Sequence, residues 1–362
     1  MGKQLRIWLF VLLSTLLTST SLLAEGVITM TTSKAVGEKI KLRVEASGNV
    51  TIEGARETSR EVDEFDRKSY RLTSQTITIR GDVTEFDCSF NELISLDVSK
   101  NTALIVLDCS SNNLTSLDLS QNTALTSLGC QGNQLTSLDM SSCTALTSLV
   151  CYINQLMSLD VSKNIALTEL DCSCNRLTSL DVSKNIALTE LYCYNNQLTS
   201  LDVSKNTALI ELNCFDNQQT SLNVSGCTAL TGLNCSYNQL TSLDVSGCTA
   251  LTQLGCSYNQ LTSLDVSKNT ALTTLGCDNN KLTSLNISGC ARLMVIDCFN
   301  NYINGKAMTR LVNSLPNRRR KSSGTIYLVY SSSKKRDKNR CSTADVTTAK
   351  KKNWEVQTLI AL

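Results

Sequence analysis

The sequence predicts a solenoid of eleven short coils, with a parallel β-sheet on its concave face and an irregular convex side. Cysteine recurs every 21 residues from Cys88 to Cys298, and an asparagine follows each of these cysteines by three residues. Leucine recurs two residues before the cysteine and two residues after the asparagine. One such unit cannot bury its own leucines, so neighbouring units must stack and share a continuous core. We expect a β-rich unit before this array and an α/β cap after it.

A short strand is expected around each of these ladder cysteines, which are Cys88, Cys109, Cys130, Cys151, Cys172, Cys193, Cys214, Cys235, Cys256, Cys277 and Cys298. Residues 127–131 read S-L-G-C-Q, an alternation of polar and apolar side chains that is typical of a strand with one buried face. The asparagine then turns the chain, because its amide can bond backbone groups inside the turn. We therefore predict one strand and one turn in each coil.

This pattern resembles the leucine-rich-repeat family, whose core pattern is L-x-x-L-x-L-x-x-N/C-x-L. Within that family it is similar to the cysteine-ladder repeats of the internalin J type, which occur in bacterial surface proteins. The resemblance covers residues 83–303, and it departs from the pattern where Gln219 replaces an inward leucine and where Lys306 falls in place of the next leucine. It implies a leucine-rich-repeat solenoid that serves as an adhesin.

The N-terminal residues 1–24 are predicted to be a secretory signal peptide. Lys3 and Arg6 precede an apolar run at residues 7–17, and residues 21–24 offer a small-residue cleavage site. We expect an exported protein, secreted or held at the cell surface, with the periplasm as the alternative. No transmembrane segment is expected beyond this signal.

Residues 25–82 are predicted to form the β-rich N-terminal unit. Residues 27–30, 39–46, 50–52 and 70–80 have strand character, and glycines punctuate them. The charged stretch at residues 55–69 is predicted to be a loop. We expect this unit to cover the open N-terminal edge of the array, because exposed sheet edges invite aggregation.

Residues 304–362 are predicted to form a basic capping segment. Helical spacing covers residues 306–314 and 344–352, and strand patterns cover residues 325–330 and 354–360. This segment has 14 basic and 3 acidic residues, whereas residues 83–303 have 8 basic and 19 acidic residues. The basic stretches at residues 318–321 and 334–336 could attract nucleic acid or acidic lipid. We expect solvated loops there instead, and no nucleic-acid partner.

The composition argues against an enzyme. The chain has no histidine, so neither a Ser-His-Asp nor a Cys-His catalytic arrangement can be built. The ladder cysteines lack the C-x-x-C spacing that is usual in zinc sites, and we expect them to be free thiols that fill the core. Cys227 and Cys248, on adjacent coils, could form a disulfide, or they could make the hydrogen bonds of the asparagines that they replace. We predict no cofactor and no metal.

A second ladder is acidic, with an aspartate at the same position of eight coils: Asp97, Asp118, Asp139, Asp160, Asp181, Asp202, Asp244 and Asp265. Calcium prefers oxygen ligands, but each coil supplies only one carboxylate. We therefore expect these outer-turn aspartates to cap backbone amides.

A binding site is predicted on the exposed strand face, at the positions that flank each inward leucine and cysteine. Exposed aromatic residues with a few charges form the usual core of a recognition surface. The candidate ligand-binding residues are Tyr152, Glu169, Asp171, Glu190, Tyr192, Tyr194, Glu211, Asn213 and Phe215. Tyr237 and Tyr258, one position further along, could extend this patch.

The predicted function is binding of a protein or glycan ligand on host or neighbouring cells, by a monomer. The alternative is a periplasmic structural scaffold without host contact.

Overall fold

The computed structural model describes residues 26–331 and 337–360, so the predicted signal peptide lies outside the described residues. The N-terminal unit contains six strands: β1 (Val27–Thr32), β2 (Lys39–Ala46), β3 (Thr51–Glu53), β4 (Ala55–Val62), β5 (Lys68–Leu72) and β6 (Thr76–Arg80). Alternate residues of these strands are buried, such as Ile28 and Met30 in β1 and Ile77 and Ile79 in β6. This alternation is the period of a strand with one buried face.

The predicted loop at residues 55–69 is wrong, because β4 and β5 pair there as an antiparallel hairpin. The predicted strand at residues 70–80 is divided between β5 and β6. Strand β4 is at the edge of its sheet, and its charged residues Arg56 and Glu57 are exposed. Charged side chains are common on edge strands, where they oppose pairing with other molecules. The charge therefore indicated an edge strand and not a loop.

Sixteen strands follow in the repeat array. In chain order they are β7 (Val83–Asp87), β8 (Leu93–Lys100), β9 (Val106–Asp108), β10 (Ser127–Gly129), β11 (Ser148–Val150), β12 (Glu169–Asp171), β13 (Glu190–Tyr192), β14 (Ser200–Asp202), β15 (Glu211–Asn213), β16 (Ser221–Asn223), β17 (Gly232–Asn234), β18 (Gln253–Gly255), β19 (Ser263–Asp265), β20 (Thr274–Gly276), β21 (Ser284–Asn286) and β22 (Val295–Asp297).

Eleven of these strands, one from each coil, lie side by side and form the parallel sheet of the concave face: β7, β9, β10, β11, β12, β13, β15, β17, β18, β20 and β22. Each residue pairs with the residue 21 positions further on, as Leu128 does with Leu149. On the opposite side, the described coils pair with one another in two short pairs, β14 with β16 and β19 with β21. The predicted solenoid, with a parallel sheet on one face and an irregular other face, is confirmed.

The N-terminal unit holds the first coil from both sides. Strand β2 pairs antiparallel with β7 and so continues the concave sheet, while β1 pairs antiparallel with β8 on the opposite side. Arg67 strengthens this attachment, because its guanidinium donates hydrogen bonds to Asp63 and to the backbone carbonyl of Ser89. The N-terminal edge of the array is thus covered, as predicted.

The interior of the array is a stack of leucine and cysteine side chains. The ladder cysteines are free thiols and are fully buried. Leucines such as Leu170 are also fully buried, with no exposed area. Burial raises the pKa of the Cys130 thiol to about 12, because a thiolate has no water to stabilise it there. The predicted role of these thiols as small apolar groups of the core is confirmed.

The strand-exit asparagines, which follow the ladder cysteines by three residues, bond successive coils together. The side-chain nitrogen of Asn175 donates to the carbonyl of Cys172 in its own coil and to that of Cys151 in the preceding coil. Its Oδ1 accepts the backbone N–H of Leu156 at 3.0 Å. The predicted bonding of backbone groups by this amide is confirmed, and it also ties each coil to the previous one.

A second set of asparagines and cysteines forms what we call the corner ladder, at Asn101, Asn122, Cys143, Asn164, Asn185, Asn206, Cys227, Cys248, Asn269 and Cys290. These side chains are buried. Asn101 donates to Val83 O in its own coil, and each of the others donates to one or two carbonyls of the preceding coil. Cys227 and Cys248 are both free, and their thiols donate to Val203 O at 3.3 Å and Val224 O at 3.5 Å. Hydrogen bonding, not a disulfide, is therefore the arrangement at these two cysteines.

The outer-turn aspartates cap the turns that precede the corner ladder. Oδ1 of Asp181 accepts the backbone N–H of Ser183 at 2.9 Å, and Asn223 bonds the N–H of Ser225 in the same way. This confirms the predicted capping of backbone amides. In the described part of the chain, no group of three or more cysteine, aspartate or glutamate side chains lies close enough together to hold a metal ion.

The C-terminal segment contains α1 (Gly305–Ser314), β23 (Gly324–Ser331), α2 (Thr343–Lys351) and β24 (Trp354–Ile360), which confirms the four predicted elements. Ser342 and Asp345 form a capping box at the start of α2. Strand β23 pairs parallel with β22, and β24 pairs parallel with β23, so the cap extends the concave sheet.

The basic stretch at residues 318–321 is only partly a solvated loop. Arg318 is buried, and its guanidinium donates to the carbonyls of Leu293 and Ser322, so the prediction is wrong for this residue. Arg319, Arg320 and Lys321 are exposed. The second basic stretch, at residues 334–336, lies outside the described residues.

Candidate binding face

The concave sheet arranges its outward side chains in columns, because equivalent residues of neighbouring coils pair in register. Column A holds the residue three before each ladder cysteine, column B the residue one before, and column C the residue one after. The predicted site residues fall into these columns as Glu169, Glu190 and Glu211 in A, Asp171, Tyr192 and Asn213 in B, and Tyr152, Tyr194 and Phe215 in C. The structure thus brings the predicted residues onto one face of four adjacent coils.

Three glutamates stand next to one another in column A. Glu169, Glu190 and Glu211 are paired residues of β12, β13 and β15, whose strands are about 4.8 Å apart. Ser148 donates to Glu169 at 2.8 Å, and Thr231 donates to Glu211 at 3.0 Å. No lysine or arginine forms a salt bridge with these three carboxylates among the described residues. We call this set the acidic column.

The acidic column gives the middle of the face a negative field. Burial raises the pKa of the Tyr192 phenol to about 12, together with its hydrogen bond to Glu190 and the charges of Glu211 and Glu169. The phenol is held close to Glu190, to which it donates at 3.1 Å. Burial, and then the charge of Glu169, raises the pKa of Asp171, although Ser173 opposes this by hydrogen bonding. Such a field favours the approach of a positively charged partner.

An aromatic ridge begins at Phe215, on the same coil as Glu211, and continues over the next two coils. The rings of Phe215 and Tyr237 have centroids 5.0 Å apart, and those of Tyr237 and Tyr258 are stacked at 4.2 Å. Tyr237 and Tyr258 have a left-handed backbone, with φ of 56° and 53°, where the chain leaves the strand. Each remains 44% exposed. Phe215 therefore joins the two strand-exit tyrosines, whereas in the described structure Tyr152 and Tyr194 are not part of this stack.

A shallow groove runs along the concave face beyond the acidic column. Glycines form much of its floor, at Gly232, Gly255 and Gly276, with Tyr192 near one end and Asp297 near the other. A Cβ at position 232 would overlap the carboxylate of Glu211, so this glycine makes room for the glutamate. The sequence prediction missed this floor, although the signal was present as glycine at three strand positions where other coils carry polar or aromatic side chains.

Comparisons with known proteins agree with this geometry. The family described as Leucine Rich repeats (2 copies) matches residues 228–269, and the one described as Leucine Rich repeat matches residues 110–132. The functional domain of InlJ from Listeria monocytogenes, which includes a cysteine ladder, is 33% identical and covers 80% of this chain with a TM-score of 0.56. This chain is a leucine-rich-repeat protein with a cysteine ladder.

Two further structures are similar to this leucine-rich-repeat protein in fold alone. The protein LIC12759 from Leptospira interrogans is 21% identical, with a TM-score of 0.50, and the match covers 75% of this chain and 83% of that one. The internalin InlF from Listeria monocytogenes is 20% identical, with a TM-score of 0.53, and the match covers 76% and 86% of the two chains. The chain spans 56% of the InlJ structure. The comparison with curated proteins finds no match.

The leucine-rich-repeat solenoid is a fold that proteins use as an interaction scaffold, because its stacked coils present an extended concave surface. It is typically not an enzyme fold. Across the two described ranges, no helix has both the length and the apolar character needed to cross a membrane.

Proposed function

We propose that this protein is an exported adhesin, secreted or held at the cell surface, that binds a protein or glycan on host or neighbouring cells through its concave face. The observation that carries the proposal is the acidic column beside the aromatic ridge, on a rigid sheet that spans all eleven coils. The likeness to InlJ supports a role in recognition. The protein acts as a monomer and needs no cofactor for this role.

The acidic column favours a basic partner. Three like charges about 4.8 Å apart repel one another, and a guanidinium or ammonium group placed over them would relieve that repulsion. Arginine pairs well with two carboxylate oxygens at once. The partner surface that fits this column therefore carries arginine or lysine side chains.

The aromatic ridge supplies contact area next to these charges. The rings of Phe215, Tyr237 and Tyr258 are held by a tilted and a stacked ring contact, so they lose little conformational freedom when a ligand covers them. Aromatic anchors with neighbouring charges are the residues that most often dominate binding free energy. The two surfaces together provide charge selection and apolar contact.

The test is binding of the labelled full chain to intact epithelial and intact bacterial cells. A variant with Glu169→Gln, Glu190→Gln and Glu211→Gln, and a second with Tyr192→Ala, Tyr194→Ala and Phe215→Ala, should each lose most of the binding. Wild-type binding should also fall in about 0.5 M salt, which screens charges beyond a few ångströms.

The matched control carries Asp118→Asn, Asp160→Asn and Asp181→Asn. It removes the same three negative charges, but from outer turns where asparagine occurs naturally at Asn223 and Asn286. This control should bind cells as the wild type does. Equal binding by the concave variants and the control would show that the ligand does not use the concave face.

The surface location has its own test. Protease added to intact producing cells should digest the protein, whereas protection in whole cells and digestion only after disruption of the outer layer would indicate a periplasmic scaffold instead.

A further inference from the structure

A second, chemically different cavity lies where the strands of the last coils end. Its volume is about 330 Å³, and its lining includes Tyr258, Asn279, Lys281, Asn300, Tyr302 and Lys338. Among the described residues, the lining of the cavity contains two lysines and no aspartate or glutamate. We call it the tyrosine–asparagine pocket. It is not part of the acidic column, and the proposed cell-binding role does not require it.

The walls of this pocket present tyrosine rings. Tyr258 ends the aromatic ridge, with one face stacked on Tyr237, and it also lines the pocket. Tyr302 is 39% exposed, and the ammonium group of Lys338 lies 4.4 Å from its ring centroid. An aromatic face carries negative partial charge, so it attracts the positively polarised C–H groups of a ligand.

The floor of the pocket is made of side-chain amides that are already held in position. The side-chain nitrogen of Asn300 donates to Oδ1 of Asn279 at 2.9 Å, and Asn279 in turn donates to Asp278 at 2.5 Å. Asn279 and Asn300 have φ of 54° and 50°, a conformation that asparagine tolerates better than most residues. Amides both donate and accept hydrogen bonds, so they match hydroxyl groups, which do the same.

Two lysines give the pocket a positive charge. Lys281 is exposed and donates to Gln260 at 3.0 Å, and Lys338 donates to the phenol of Tyr302 at 2.5 Å. The nearby acids Asp278 and Asp337 are buried and already hydrogen-bonded: Asp278 accepts from Asn279, and Asp337 accepts the backbone N–H of Asn300 at 2.8 Å. An anionic group entering the pocket would therefore meet ammonium groups first.

We propose that the tyrosine–asparagine pocket binds a saccharide unit that carries a carboxylate. The C–H face of the sugar packs on the tyrosine rings, its hydroxyl groups bond the asparagine amides, and its carboxylate pairs with Lys281 and Lys338. The volume is at the small end of the range for ligand pockets, which suits one sugar unit better than a folded peptide surface.

The experiment titrates methyl glucuronide, methyl glucoside and a tri-aspartate peptide into the full chain, with binding followed by ligand-observed nuclear magnetic resonance. The glucuronide should bind about tenfold more tightly than the neutral glucoside, because only the first can pair with the lysines. Lys281→Met, which removes the charge and keeps an unbranched side chain, should weaken glucuronide binding about tenfold and leave glucoside binding nearly unchanged. Tyr258→Leu should weaken the binding of both sugars.

Lys268→Met is the matched control, since Lys268 is an exposed lysine of an outer turn away from the pocket. It should leave glucuronide binding unchanged, and thermal melting should show that all variants are folded. The variant with the three glutamines in the acidic column should also retain glucuronide binding, so failure of the cell-binding proposal and failure of this one are distinguishable. Equal binding of the two sugars, or no binding of either, would overturn the proposal. Tighter binding of the peptide would assign the pocket to acidic peptides instead.

Discussion

Each coil has two buried positions where asparagine is common, and the sequence treats them differently. At the strand exit all eleven residues are asparagine, whereas in the corner ladder four of ten are cysteine. The hydrogen bonds explain the difference. At the exit, both amide atoms of Asn175 have partners, because the nitrogen donates to three carbonyls and Oδ1 accepts from Leu156.

In the corner ladder, the side-chain nitrogen of the asparagine forms hydrogen bonds but the side-chain oxygen does not in the described structure. The side-chain nitrogen of Asn185 donates to Val161 O and Asn164 O, but its Oδ1 is buried and has no partner in the described part of the chain. A cysteine thiol can donate a hydrogen bond in place of the amide nitrogen, although it is a weaker donor. It has no carbonyl oxygen that would be buried without a partner. The thiol of Cys227 lies against the equivalent carbonyls, with Sγ 3.3 Å from Val203 O and 3.8 Å from Asn206 O, and its single S–H donates toward them. A position that needs only a hydrogen-bond donor thus accepts either asparagine or cysteine, whereas a position that needs both a donor and an acceptor does not accept cysteine.

The largest expected effect comes from exchanging the two positions. Asn175→Cys leaves the N–H of Leu156 and at least one carbonyl without a partner in the core, so it should lower the free energy of unfolding by about 3 kcal/mol or more. Asn185→Cys still has a hydrogen-bond donor at this position, so it should change the free energy of unfolding by less than about 1 kcal/mol. Urea denaturation of both variants measures the difference, and equal losses would contradict the explanation.

Gln219 gives a third case for this comparison, a side-chain amide in which both the oxygen and the nitrogen lack a conventional hydrogen-bond partner in the described structure. It occupies an inward leucine position, is fully buried beside the thiol of Cys214, and neither its Oε1 nor its Nε2 has a conventional hydrogen-bond partner among the described residues. Gln219→Leu should therefore raise the free energy of unfolding by about 1–3 kcal/mol. The control is Gln218→Leu at the exposed neighbouring residue, which should change the free energy of unfolding by less than about 0.5 kcal/mol. A loss of stability in Gln219→Leu would indicate that the amide has a partner in solution.

The smallest effect is expected at the outer turns, where water competes with the hydrogen bond. The backbone N–H of Ser183, and then its hydroxyl, lower the pKa of Asp181 from its ordinary value of 3.8. A carboxyl whose pKa is lower when folded stabilises the protein above that ordinary value, and the contribution is lost as the pH falls through the folded pKa.

Asp181→Asn should consequently change the stability at pH 7 by less than about 0.5 kcal/mol, because the amide oxygen can still accept the N–H of Ser183. Its stability should fall less steeply below pH 3.8 than that of the wild type. Thermal melting at a series of acidic pH values checks this, and parallel curves for the two proteins would contradict it.

The sequence predicts the features that repeat, since eleven copies fix the register of strand, cysteine and asparagine. It does not predict that both flanks join the concave sheet, because the pairing of β2 with β7 and of β23 with β22 involves stretches outside the repeat. The acidic column follows from the register alone. The contact between the rings of Phe215 and Tyr237 does not, because it depends on a left-handed residue that redirects the side chain at the strand exit.

Because the ladder thiols are buried, the chemical reactivity of each ladder cysteine reports whether its own coil is folded. A thiolate is the form that reacts with alkylating agents, and burial keeps thiols such as Cys130 protonated and out of reach of the reagent. A ladder cysteine can therefore be labelled only when its coil opens, whereas the half-buried Cys174 needs no such opening. Mass spectrometry of the labelled cysteines after partial denaturation would show, coil by coil and without any engineered probe, from which end the stack comes apart.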